Sequence, residues 1–267
     1  MEKIDSKFRW VGSDSNFVDR LDVQDMDGLV LGRFGGNSSA GQYKNEDGCL
    51  IWKDSAEDWE FVLLLDAHNT AESAKAVLEQ VEAHEQEVKR LLSQPISRYF
   101  FRNLESLVLE MFQQEAFLQT CRSVQGETAC LIVARKGKYV WWFSVGDCLV
   151  YLFHPELKAF GQYQLNQRQF YEWIGEVNTF EQPVPCYSAG TRELREGANR
   201  LFLTTDGLVE CPGGIYAEPA SIYAVNSGRD GIEEMLKKIQ EHGVRDSTTI
   251  ISWEIIVKEA AAMPSNL

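Results

Sequence analysis

Apolar positions along this chain follow two periods, and the change from one to the other marks its elements. Residues 28–36 (GLVLGRFGG) read as a strand entering a turn, 37–41 (NSSAG) as loop, and 49–53 (CLIWK) as the return strand. At 61–70, FVLLLDAHNT, five consecutive apolar residues run into Asp66. Such a run is a strand buried on both faces, or the buried part of a helix. Helical spacing then takes over through Ala71, Ala74, Val77, Leu78, Val81, Val88, Leu91 and Leu92, and Pro95 ends that helix. A second helix is expected over about 97–120, with Phe100, Phe101, Leu104, Leu107, Val108, Met111 and Phe112 as its stripe. Two long helices joined by a short connection predict antiparallel neighbours.

Strand character returns in 129–136 (ACLIVARK), 138–147 (KYVWWFSVGD) and 148–154 (CLVYLFH), with a tight hairpin turn at Lys136-Gly137-Lys138. A short helix is expected over 168–175, strands near 184–194, 200–207 and 247–257, and a helix over 229–242. No repeat and no Pro/Gly/Ser-rich linker divides the chain. The reading is one domain over 1–267, with a core of about 28–257 and its loosest parts at 1–10 and in the KEAAAMPSNL tail. Strands at both ends around a pair of long helices, with few βαβ alternations, indicate an α+β fold built on antiparallel sheets.

Composition narrows the function classes. Hydrophobic residues are 44% and charged residues 25% of the 267, which is ordinary for a globular protein and argues against disorder. A net charge of −14 argues against nucleic acid or an anionic membrane as partner. The same charge would repel an anionic substrate unless a bound cation reversed the field locally. Six cysteines without a CxxC pair read as reduced, mostly buried thiols. MEKIDSKFRW lacks a signal-peptide pattern and no apolar stretch reaches membrane-spanning length, so a cytoplasmic location is expected.

Candidate chemistry lies at the strand ends. Three apolar strands terminate in Asp66, Asp147 and Asp206, while Glu46, Asp47 and Asp246 sit at turns beside strands. Each alone is an ordinary turn former or cap. Together they are harder to dismiss, because buried carboxylates need a partner and no matching set of basic residues lies close in sequence. Oxygen-only ligands select magnesium or manganese over zinc.

The order of these stretches resembles the metal-dependent protein phosphatases, the type 2C serine/threonine family. The matching boxes are NEDG (45–48), LLLDAHNT (63–70), GETA (126–129), SVGD (144–147), TTDGL (204–208) and RDSTTI (245–250). The resemblance implies a four-layer α–β–β–α sandwich, two mainly antiparallel sheets flanked by helix pairs. It also implies hydrolysis of phosphoserine and phosphothreonine in proteins by a metal-activated water, with two Mg2+ or Mn2+ ions. Carried over, Asp66 bridges the ions and the Ala67 carbonyl binds one. Asp206 and Asp246 hold the other, Glu46 and Asp47 complete the centre, and Asp147 helps bind a third. His68 falls where the family places a candidate general acid. A monomer acting on a phosphorylated protein is the expected state.

Three departures accompany the resemblance. Gln42 stands near the place of the family's phosphate-binding arginine, a loss of about 1.5–3 kcal/mol for a charged hydrogen bond. Lys44 or Arg33 are the candidate substitutes. The D-G-H-G-G box has become Asp66-Ala67-His68-Asn69-Thr70, with Asn69 or Thr70 as expected helix cap, and D-N has become Asp246-Ser247. No aspartate is lost, which favours an enzyme. The rival from another class is a pseudophosphatase, the same fold serving as a binding module. Asp66-x-His68-x-Thr70 also resembles part of the haloacid dehalogenase motif, without its second aspartate. Segment 155–195 falls where the family carries a flap, and its aromatic QRQFYEWIGE is expected to pack against the sheet.

Overall fold

The computed structural model describes residues 5–226 and 228–263. The expected termini 1–4 and 264–267 lie outside them. One sheet runs β1 (Asp5–Val11), β4 (Gly48–Asp54), β5 (Trp59–His68), β6 (Glu127–Lys136), β7 (Tyr139–Val145), β10 (Ser188–Glu193), with the two-residue β9 (Ile174–Gly175) paired to β6. The other runs β2 (Leu21–Met26), β3 (Leu29–Phe34), β12 (Thr248–Val257), β11 (Gly197–Thr204), β8 (Leu149–Phe153). Every pairing is antiparallel.

Three apolar layers follow from the two-residue alternation of strands. Along β5, Phe61, Leu63 and Leu65 pack on α1 (Glu72–Ala83), α2 (Glu85–Leu92), α3 (Phe100–Phe112) and α4 (Glu115–Ser123). Val62 and Leu64 face the second sheet, meeting Leu29, Leu31, Leu201, Leu203 and Ile251. Beyond that sheet, Val30, Phe202 and Ile250 pack on α7 (Arg229–Glu241) and the short α6 (Pro219–Tyr223). The remaining helix, α5 (Pro155–Lys158), follows β8. This is the α–β–β–α sandwich. The apolar run before Asp66 is a strand buried on both faces. No helix among the described residues is long and apolar enough to cross a membrane.

Each expected long helix is two. The first breaks at His84, whose Nδ1 lies 2.9 Å from Gln80 O and whose Nε2 lies 2.9 Å from Gln114 Nε2. Gln80 donates to Met111 O at 2.7 Å, so both breaks share one polar clasp inside an antiparallel arrangement. His154, at the end of β8, is buried, bonding Glu196 O and accepting from Glu156 N.

Several strand expectations need correction. Residues 29–34 and 48–54 are not a hairpin: β3 pairs β2 and β12, while β4 pairs β1 and β5. Loop 35–47 instead crosses between sheets. The segment expected to be a loose end, 1–10, contributes β1, paired along all seven residues with β4, so the folded core starts well before residue 28. The expected helix at 168–175 is a series of turns leading into β9, with Tyr171 at φ +75°. Gln169 N bonds Gly146 O at the end of β7, and Ile174 and Gly175 pair with Thr128 and Glu127 of β6, so this backbone is spent on the sheet edge rather than on a helical ladder. Phe170 and Tyr171 point to solvent instead of packing on the sheet, whereas Trp173 is partly buried. All six cysteines are free, and only Cys186 is exposed.

The middle layer ends differently at its two extremities. At one, Glu60 and Arg135 face each other across β5 and β6 and form a buried two-bond ion pair at 2.5 Å each, joined by Asp58. At the other end the chain crosses between sheets three times, at 12–20, 35–47 and 146–148. That end carries the acids.

Candidate metal centre

Asp66 continues the Val62–Leu64 row and therefore points between the sheets, opposite the small Ala129 on β6. Asp147 sits at the β7–β8 crossing after Gly146. Gly146 has φ +85°, and a Cβ there would fall 2.6 Å from that of Ala129. Asp206 opens a 3-10 turn after β11, where a Cβ on Gly207 would fall 2.2 Å from Ser247 O. Close backbone approach thus accounts for both glycines.

Oxygens of Asp66, Asp147 and Asp206, all buried, lie within 4.8 Å of one another. Asp66 Oδ2, Asp147 Oδ1 and Asp206 Oδ1 have no hydrogen-bond partner. Burial, then the charge of Asp206, raises the Asp66 carboxyl well above its ordinary value. Burial, then Asp246, lifts Asp206 to about 7. Like charges at this spacing resist joint ionisation. Buried, unpartnered, mutually repelling oxygens suit a hard divalent cation.

Asp47 stands behind this group. Ser247 Oγ and Thr249 Oγ1 donate to its two oxygens at 2.7 and 2.6 Å, with Thr205 Oγ1 at 3.4 Å. Burial raises it to about 7 against those hydrogen bonds. Its lone pairs are thus largely engaged, whereas Glu46 lines an open cleft of about 430 Å3 together with Ala67, His68 and Asp246. Asp246 is exposed as a residue, yet its carboxyl is raised by desolvation and by Glu210 and Asp147, while His68 and the Ser247 N–H oppose that rise. His68 Nδ1 lies 3.8 Å from Asp66 Oδ1, and its ring rests 5.0 Å from that of Trp173.

The expected anion-binding cations divide. Lys44 reaches the cleft, but its ammonium is held by Glu46 Oε1 at 2.5 Å and Asn69 O at 2.6 Å. Arg33 does not reach it. Buried in the sandwich, it pairs with Asp22 and lies under the rings of Phe8, Trp10 and Phe17. A cation absent from the sequence reading is Arg168, whose Nη2 approaches Glu210 at 2.5 Å, Asp206 at 3.3 Å and Asp147 at 3.5 Å. Lying 21 residues past Asp147 and 38 before Asp206, it had no local signal beyond being a cation in an aromatic loop.

No protein-family model and no curated protein matches the chain. Solved structures do. A point mutant of a bacterial serine phosphatase superposes with a TM-score of 0.57 at 14% identity, covering 95% of this chain and 99% of that one. Stp1, a serine/threonine phosphatase from Staphylococcus aureus, gives 0.56 at 13%, covering 96% of each. RsbX in complex with magnesium gives 0.54 at 14%, covering 88% and 100%. Near-complete coverage in both directions, with the sandwich described above, identifies the fold: the chain has the architecture of the type 2C serine/threonine phosphatases.

Proposed function

We propose that this protein is a metal-dependent phosphatase that hydrolyses phosphoserine and phosphothreonine in protein substrates. The observation that carries the reading is the convergence of three buried, unpartnered carboxylate oxygens, from Asp66, Asp147 and Asp206, beside an open cleft. Asp66 and Asp206 would hold a pair of Mg2+ or Mn2+ ions, with the Ala67 carbonyl, Glu46 and Asp246 at the cleft side and Asp147 toward a third. Bound there, such ions would acidify water and neutralise phosphoryl oxygens.

The chain's own groups do the rest. Asp47, fixed by three hydroxyls, buttresses the loop that presents Glu46. Lys44 tethers Glu46 and the Asn69 carbonyl, which sets the cleft wall. His68 stands at the lip, 40% exposed, where its imidazole can pass a proton to the departing seryl or threonyl oxygen. Trp173 limits the swing of that ring. The protein would work as a monomer in the cytoplasm, with a flap drawn from within 155–195, where Arg168 lies beside Asp147 and Asp206.

Purified protein with Mn2+ should hydrolyse p-nitrophenyl phosphate and a phosphothreonine peptide, and EDTA or Asp66→Asn should abolish both. One observation favours the binding-module alternative: Lys44 and Arg168 are already engaged by carboxylates. Mn2+ binding without turnover at any pH from 6 to 9 would decide for it.

A further inference from the structure

A phosphoryl dianion entering this cleft meets Glu46, Glu210 and Asp246 on its walls, in a molecule of net charge −14. Ions held by the aspartates would compensate at the floor. The flank of the substrate still needs a donor that is free to move onto it. Two permanent cations line the cleft, Lys44 and Arg245. Lys44 is spent on Glu46 and Asn69. Arg168, just outside, is spent on three carboxylates.

Arg245 is different. Among the described residues its guanidinium has no hydrogen bond, ion pair or ring contact, and the residue is exposed. Its backbone, by contrast, is fixed. Val244 O accepts from Asn37 N at 2.9 Å, Val244 N donates to Ile239 O at 3.1 Å, and Ser247 N donates to Asp246 Oδ1 at 2.9 Å. Gly36 packs so closely that a Cβ there would lie 2.0 Å from Arg245 O. A rigid stem carrying an unpaired five-donor head on the cleft wall is suited to bidentate capture of phosphate. We propose that Arg245 is the phosphate-binding residue of this protein, gripping the non-bridging oxygens of the phosphorylated side chain and of the phosphate product. The assignment rests on the phosphatase reading for its substrate, though not for its anion.

Two measurements on Mn2+-loaded protein separate the two claims. Calorimetric titration with inorganic phosphate should show at least about tenfold weaker binding for Arg245→Ala, about 1.4 kcal/mol. Arg245→Lys should recover only part, because an ammonium cannot form the fork. Mn2+ affinity should be unchanged in both. With a phosphothreonine peptide, KM should rise by a similar factor and kcat should change less. Equal phosphate affinity in wild type and Arg245→Ala overturns the assignment whatever the turnover. Loss of phosphate binding in Arg245→Ala, in a protein that turns nothing over, sustains the assignment and removes the hydrolase.

Discussion

Buried carboxylates decide the behaviour of single residues here. Asp47 and Asp206 are lifted to about 7 and Asp66 well above its ordinary value, against about 3.9 for an unfolded aspartate. Between about pH 4 and 7 the metal-free folded state therefore holds more protons than the unfolded state, and stability falls as pH rises through that window. EDTA-treated protein should melt higher at pH 5.5 than at pH 8, by scanning calorimetry. Metal affinity should run the opposite way, weakening as pH drops below about 7 because protons compete for the same oxygens. Asp206→Asn should raise the melting temperature of the metal-free protein by relieving repulsion. It should also cost at least about a hundredfold in Mn2+ affinity. Arg168 supplies an internal countercharge to Asp147 and Asp206. Arg168→Ala should tighten Mn2+ binding by roughly threefold to tenfold, read by titration, while lowering metal-free stability by about 1 kcal/mol. Asp66, Asp147 and Asp206 were legible in sequence because each follows or ends an apolar strand, and Asp47 because it sits at a turn beside one. Arg168 was not, because nothing local ties residue 168 to 147 or 206.

Elements were readable where one period ran long enough. The apolar stripe of 71–92 identifies helix, but only the polar contacts of His84 with Gln80 and Gln114 reveal that it breaks. In 168–175, Phe170, Trp173 and Ile174 mimic helical spacing while the backbone bonds to the sheet edge. β1 alternates Lys7 and Arg9 with Phe8 and Trp10, a strand pattern only seven residues long that merges with a polar terminus. Its apolar face covers Arg33, so deleting residues 1–11 should cost at least about 3 kcal/mol in urea unfolding, from Trp10 burial alone about 2. After β5, Asn69 takes the left-handed conformation at φ +73°, where the family motif carries glycine, and Thr70 Oγ1 accepts from Glu72 N at the helix start. Asn69→Gly should therefore be nearly neutral and Asn69→Val should lose about 1–2 kcal/mol, measured by the same unfolding.

At the scale of the whole molecule, the order of the six boxes implied the sandwich through the resemblance they carry, and the acids of three of them, Asp66, Asp147 and Asp206, meet at one end of it. Which strands share a sheet was not readable, because side-chain alternation is identical whether 35–47 turns a hairpin or crosses between layers. The crossings matter physically. Glu46 and Asp47 ride one and Asp147 another, while Asp66 comes from the first sheet and Asp206 from the second. Opposite them, Glu60 and Arg135 close the same layer with opposed charges that satisfy each other. At the far end the buried charges cancel within the first sheet, between its neighbouring strands β5 and β6, whereas at the acid end like charges carried by both sheets face one another, offset in part by Arg168. Divalent ions would supply the remaining counterweight. Amide hydrogen exchange near the ends of β5 and β11 should slow on Mn2+ loading, with no change beside Glu60 and Arg135.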